Sequence, residues 1–176
     1  MNPAFSVQIA TAAHIPYIPA ILDAIYVASK VPGNSIVMRN PDYLALKMKE
    51  GKAVIALHGD EFAGFCYMEA WQNGEFIANS GLIVKPEFRK QGLAREIKRQ
   101  LVEAGRKLFP GSTVFGITKS PAVVKINLSL GFHKVSYQEL TTDPAFWKGC
   151  ETCPYYQTLV ENQGKDCLCQ ALILKL

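Results

Sequence analysis

The sequence has no apolar run near the ~18 residues a membrane-spanning helix needs, and no charged-then-apolar leader with a small-residue cleavage site. No membrane partner and no secretion are therefore expected, and the expected location is cytoplasmic. Charge of one sign is also scarce. The formal net charge of +4 is too small and too dispersed to argue for nucleic acid, and favours an anionic small ligand only weakly. Two phosphate-binding signatures are missing: there is no Gly-Lys-Ser/Thr ending of a Walker loop, and the glycines fall short of the dinucleotide fingerprint. Without an export signal, the five cysteines point to thiols or metal rather than disulfides.

What is present suits one domain over residues 1–176: 49% hydrophobic and 19% charged residues are enough for a sizeable core. Phe5 to Ile9 alternates like a short strand, and Thr11 to Ser29 carries Ile15, Ile18, Leu22, Ile25 and Tyr26 at helical spacing, the helix proper starting near Ile18 because Pro16 and Pro19 suit only its first turns. Asn40-Pro41 reads as an N-cap opening a helix that stops at Gly51. Lys52 to His58, Glu61 to Trp71 and Phe76 to Val84, separated by Gly59-Asp60 and Gln72-Asn73-Gly74, form an antiparallel meander. After a long helix come a strand at Thr113 to Ile117, a helix capped by Ser120-Pro121, a strand from Phe132 to Tyr137 and a last strand from Gln170 to Leu176.

The stretch from Gly81 to Phe109 organises the chain. An apolar strand, Leu82-Ile83-Val84, breaks at Pro86 and passes through Arg89-Lys90-Gln91-Gly92-Leu93-Ala94 into a helix whose apolar face is Leu93, Ile97, Leu101, Ala104 and Leu108. Strand, basic loop and helix make an anion site: the free N–H groups and positive dipole end of the helix favour phosphate, and the glycine lets backbone approach the ligand. The sequence Arg89-x-x-Gly92-x-Ala94, after Gly-Leu-Ile-Val-x-Pro, resembles the coenzyme A pyrophosphate loop of the GNAT superfamily of N-acyltransferases. Leu130-Gly131-Phe132, at the end of the following helix, is similar to a second family landmark at the family's separation.

That resemblance implies an α/β (α+β) GNAT fold: a central, mostly antiparallel mixed sheet of six or seven strands, splayed after the fourth and flanked by about four helices. It implies that backbone groups of Leu82, Ile83 and Val84 take the pantetheine arm. The loop amides of Gln91, Gly92, Leu93 and Ala94 take the pyrophosphate, with Arg89 and Lys90 adding charge. Acetyl-CoA or succinyl-CoA is the implied co-substrate, attacked directly by a neutral amine in a ternary complex. Glu69 and Glu75 are the strand-borne carboxylates for removing the amine's proton. The family's tyrosine acid falls at Asn127, whose amide can hydrogen-bond sulfur but cannot act as a titrating acid. Ser120 stands where many relatives carry an asparagine, and can cap its helix or touch coenzyme A. Arg39, between the first two helices, is the candidate for an acceptor carboxylate, since a guanidinium grips one through two parallel hydrogen bonds.

Residues 143–169 read as a cysteine-rich insertion before the last strand. Cys150-x-x-Cys153 and Cys167-x-Cys169 offer four soft ligands in two close pairs, which suit a structural zinc site, partly buried thiols or a redox couple. Together with Phe146-Trp147-Lys148-Gly149-Cys150, the tail looks like a group of small bacterial acyltransferases associated with arginine synthesis, which implies the α-amine of glutamate as acceptor. A small-molecule amine acceptor is thus expected, on a monomer or homodimer. Protein lysine or N-terminal acetylation and a catalytically inactive coenzyme A-binding regulator are the competing classes.

Overall fold

Turn chemistry sets the strand boundaries, and hydrophobic pattern sets what lies on each face. In the computed structural model, which describes residues 5–176, the strands are β1 (Phe5–Ile9), β2 (Ala53–His58), β3 (Glu61–Trp71), β4 (Phe76–Val84), β5 (Thr113–Thr118), β6 (His133–Val135) and β7 (Gln170–Lys175). They form one seven-stranded sheet in the order β1-β2-β3-β4-β5-β7-β6. All neighbours are antiparallel except β4 and β5, which run parallel. A parallel pair needs a crossover, supplied by helix α3 (Leu93–Leu108).

Helices α1 (Ile18–Ser29) and α2 (Pro41–Lys49) cover one face, packing Ile21, Ile25, Leu44 and Met48 against Ile55, Phe65, Tyr67 and Ile83. Helix α3 covers the other, packing Leu93, Ile97 and Leu101 against Val54, Ala56, Cys66 and Met68. The Val, Leu, Ile, Phe and Met side chains among these contribute about 1.5–3 kcal/mol each by leaving water. Coverage on both faces explains why β2 is buried from Ala53 through Leu57. Helix α4 (Pro121–Ser129) and two short helices of the insertion, α5 (Pro144–Lys148) and α6 (Tyr156–Glu161), complete the set. Phe146, Trp147 and Leu159 of the insertion pack on Ala78, Phe115 and Ala171.

The structure departs from expectation in four places. The strand expected from Phe132 to Tyr137 shrinks to His133–Val135, because Ser136 and Glu139 form a capping box that turns Tyr137–Glu139 into a 3-10 helix. Leu108 is 45% exposed, since α3 ends there, whereas Lys98 on the buried face is only 3% exposed. The insertion contains two helices that turn formers had masked. The helical segment from Ala12 to Ser29, mean hydropathy 1.2, is by length and composition able to cross a membrane. Here it begins as a 3-10 turn around Pro16 and buries Ile18, Ile21, Ile25 and Ala28.

Candidate active site

The site begins with a register fault. Phe65 pairs with Ile83 and Tyr67 with Ser80, so Gly81 and Leu82 face Cys66 alone and β4 carries a bulge. Gly81 sits at φ +65°, and a Cβ there would lie 2.5 Å from Tyr67 Cε1. Only glycine fits. Ahead of the bulge β4 has already left its parallel neighbour: pairing with β5 ends at Ala78–Phe115, while Gly116 to Thr118 pair only with β7. Backbone groups of β4 from Asn79 onward therefore lack a strand partner on that side, as an extended ligand arm requires. Leu82 lines the opening, whereas the Ile83 and Val84 side chains are buried in the cores on opposite faces.

A cleft of about 540 Å³ occupies the splay. Asn79, Ser80, Gly81 and Leu82 form one wall, Ile117 to Pro121 with Val123 the other, and Pro32 to Ile36 with Arg39 close it. After the loop that follows β4, Gly92 at φ +80° opens α3 without a side-chain cap, and an added Cβ there meets nothing within 4 Å. Glu96 N–H bonds Gly92 O, leaving the amides of Leu93, Ala94 and Arg95 without helical acceptors. Lys90, at φ +61°, and Gln91 are exposed beside them. This cradle fits a pyrophosphate. Arg89, exposed beside the cradle, also ties the loop to the end of β4, its Nε donating to Val84 O at 3.0 Å.

On the acceptor side Arg39 Nε donates to Tyr67 Oη at 2.6 Å and an Nη to Val37 O, so the guanidinium is fixed in the cleft wall. Burial pushes the Tyr67 phenol up to about 12, against the lowering effect of Arg39. Glu69 receives hydrogen bonds from the Tyr43 hydroxyl and, at 3.3 Å, from Ser80 Oγ. Burial, then the bond to Glu69, holds the Tyr43 phenol well above its ordinary range, so it remains a donor. Ser80 lines the cleft and connects it to Glu69. Ser80 was missed, because its role depends on the bulge.

Two expected roles are not supported by position, those of Glu75 and Asn127. Glu75 is exposed beside the β3–β4 turn, at the end of β4 opposite the bulge, with its backbone carbonyl bonded to Thr113 N–H. Asn127 is 1% exposed, its Nδ2 near Gly116, its Oδ1 without a partner, and it is not among the residues of the cleft wall. Ser120 caps α4, accepting from Val123 N–H at 3.3 Å, and also lines the cleft.

The zinc expectation is corrected. Cys150, Cys153, Cys167 and Cys169 do converge on one cavity of about 160 Å³, but among the described residues no three donors are arranged to hold a metal ion. Cys167 Sγ is engaged instead by Tyr137 Oη at 2.8 Å and by Cys169 N–H at 3.3 Å. Burial, with the neighbouring thiols second, pushes Cys150 up to about 11 and Cys169 up to about 12. These two thiols behave as neutral wall. Also unforeseen is Lys98, buried on α3, for which no salt bridge is found among the described residues; burial lowers its pKa.

Comparison with known proteins agrees with this geometry. A model of the Acetyltransferase (GNAT) family matches residues 21–121, more than half of the chain. No curated protein sequence matches significantly. Among solved structures, N-acetylglutamate synthase from Neisseria gonorrhoeae, complexed with coenzyme A and N-acetyl-glutamate, superposes with a TM-score of 0.68 at 16% identity over 98% of this chain. The match spans only 35% of that longer protein. A Mycobacterium tuberculosis protein in complex with CoA and NLQ gives 0.67 at 17% identity, covering 97% of this chain and 99% of that one. Ribosomal-protein-alanine N-acetyltransferase from Brucella melitensis gives 0.64 at 14% identity, covering 97% and 99%. At such identities these likenesses speak for the fold.

Proposed function

The chain belongs to the GNAT family of acetyltransferases, and from that premise we propose that it transfers acetyl from coenzyme A to the α-amine of glutamate. The observation that carries the acceptor assignment is Arg39: half-buried in the cleft wall, oriented by Tyr67 and Val37, and with no carboxylate partner among the described residues. A guanidinium so held suits the carboxylate of an amino acid. The solved relative bound to N-acetyl-glutamate supports the same reading.

The chain's residues divide the work. The unpaired edge of β4 and the amides at the start of α3 bind the coenzyme, which supplies the acyl thioester. Backbone N–H groups at the bulge polarise the carbonyl under attack, and holding both reactants in one cleft supplies much of the acceleration. Glu69 accepts the ammonium's proton through Ser80 Oγ, while Tyr43 fixes the carboxylate from the other side. Asn127 is not among the residues of the cleft wall and its amide has no proton to give up, so the departing thiolate takes its proton from solvent.

The test is mass-spectrometric product formation with acetyl-CoA, and separately succinyl-CoA, against an amino-acid panel headed by glutamate. N-acetylglutamate is expected, and Arg39→Ala should raise the KM for glutamate about 10- to 100-fold, the worth of charged hydrogen bonds. Transfer to peptide N-termini or lysines, with none to free amino acids, would overturn the assignment.

A further inference from the structure

The cysteine-rich insertion meets the cleft where Ser35 and Ile117 line both the cleft and the cavity of the four thiols, and one of its contacts there involves a cation. Lys119, between the end of β5 and the cap of α4, extends its ammonium over the Tyr155 ring, Nζ 3.2 Å from the centroid. Lys119 lines the same cleft as Arg39, but from the β5 side. Neither cation forms a salt bridge among the described residues. Both are half-buried. Two like charges around one cleft repel each other and lose hydration, and both penalties fall when anions enter between them. Tyr155 also lines the smaller cavity walled by the four thiols, so the packing of the insertion sets where its ring stands. A cation on an aromatic face is held in place without being neutralised.

We propose that Lys119 is a specificity-determining residue that receives the second carboxylate of a dicarboxylic amino acid, with Tyr155 as the positioning residue beneath it. This rests on the acceptor reading above and adds the group that recognises the side-chain carboxylate. Arg39 grips one carboxylate and Lys119 the other, while the amine faces Ser80. A neutral side chain of the same length leaves the ammonium unpaired, so the site discriminates by charge rather than by size.

The experiment compares glutamate with glutamine, its neutral isostere, in the wild type, Lys119→Met, Lys119→Arg, Tyr155→Leu and Tyr155→Phe. The wild type should prefer glutamate, and Lys119→Met should lower the Glu/Gln ratio of kcat/KM about 10- to 100-fold, the effect falling on the KM for glutamate. Lys119→Arg should keep most of the ratio, which controls for folding. Tyr155→Leu should lose part of the ratio and Tyr155→Phe restore it, because the ring face rather than the hydroxyl does the holding. An unchanged ratio in Lys119→Met overturns the proposal while leaving the acceptor reading intact, as does a loss confined to the KM for acetyl-CoA. Failure of the wild type to acetylate any amino acid overturns both.

Discussion

Replacing Gly81 by alanine tests the geometry on which the whole site depends. Gly81 holds φ +65°, where an L-residue loses roughly 1–2 kcal/mol. The new Cβ would also lie 2.5 Å from Cε1 and 3.0 Å from Cδ1 of Tyr67, a ring only 2% exposed and so unable to swing into solvent. Forcing that ring off its rotamer costs about 0.5–1.5 kcal/mol, and straining its bond with Arg39 about 1 kcal/mol more. Gly81→Ala should therefore destabilise the fold by about 2.5–4.5 kcal/mol in urea unfolding and raise the KM for the acceptor, since Tyr67 orients Arg39. In a Tyr67→Ala background the clash disappears, and the same substitution should cost only the backbone part, about 1–2 kcal/mol. Equal costs in both backgrounds would refute the steric account, and a cost under about 0.5 kcal/mol would refute the bulge itself.

Three further outcomes follow from named contacts. Glu69→Gln should lower kcat/KM about 10²- to 10⁴-fold near neutral pH, with the deficit narrowing as alkaline pH frees the amine; a deficit of under about threefold would remove Glu69 from the proton path. Lys98→Met should stabilise the protein by about 1–3 kcal/mol at pH 7, because the ammonium is buried without a carboxylate. Burial depresses the folded-state pKa of Lys98, so its charge penalty is complete at low pH and fades as pH rises toward its unfolded value of about 10.4. The gain from methionine should shrink between pH 7 and 10, and a pH-independent gain would point to packing alone. Cys150 and Cys169, raised to about 11 and about 12, should be alkylated at pH 8 at least ~100-fold more slowly than an ordinary thiol, whose pKa is ~8.5. Mass mapping after iodoacetamide reads this directly, and fast labelling of both would contradict their burial.

Local chemistry made much of the fold legible. Asn40-Pro41 and Ser120-Pro121 cap helices where a side-chain oxygen followed by proline predicts them, and Gly59 and Gln72–Gly74 close the hairpins. The strand, basic loop and helix from Leu82 to Leu108 were legible for the same reason, since such a turn is set by backbone chemistry over a few consecutive residues. What failed was non-local. Lys98 reads as a solvated helix residue until β3 is placed against it, and Ser136 with Glu139 ended β6 through a bond no alternation pattern contains. Glu69 and Glu75 were equivalent as strand carboxylates, and only the path of β4 separates them. The cysteines were legible as a cluster but not as a geometry, since Tyr137 takes up Cys167 from outside the motif.

The β3–β4 register explains why the acceptor grip and the proton acceptor occur together. Tyr67 and Glu69 are two residues apart on β3, so they share the face covered by α1 and α2, about 6–7 Å apart along the strand. Tyr67 holds Arg39, and Glu69 meets Tyr43 of α2. Ser80 is paired with Tyr67 and bonds Glu69, which brings it from the neighbouring strand into the same group. The extra residue at Gly81–Leu82 follows immediately, on the stretch of β4 that has left β5 and lines the cleft. Had β4 slipped by one residue, Ser80 would face α3 and Glu69 would lose its link to the cleft. The bulge thus sets Gly81 against the Tyr67 ring in the stretch that carries Ser80, which is why a single methyl group at position 81 should be felt in stability and in acceptor affinity alike.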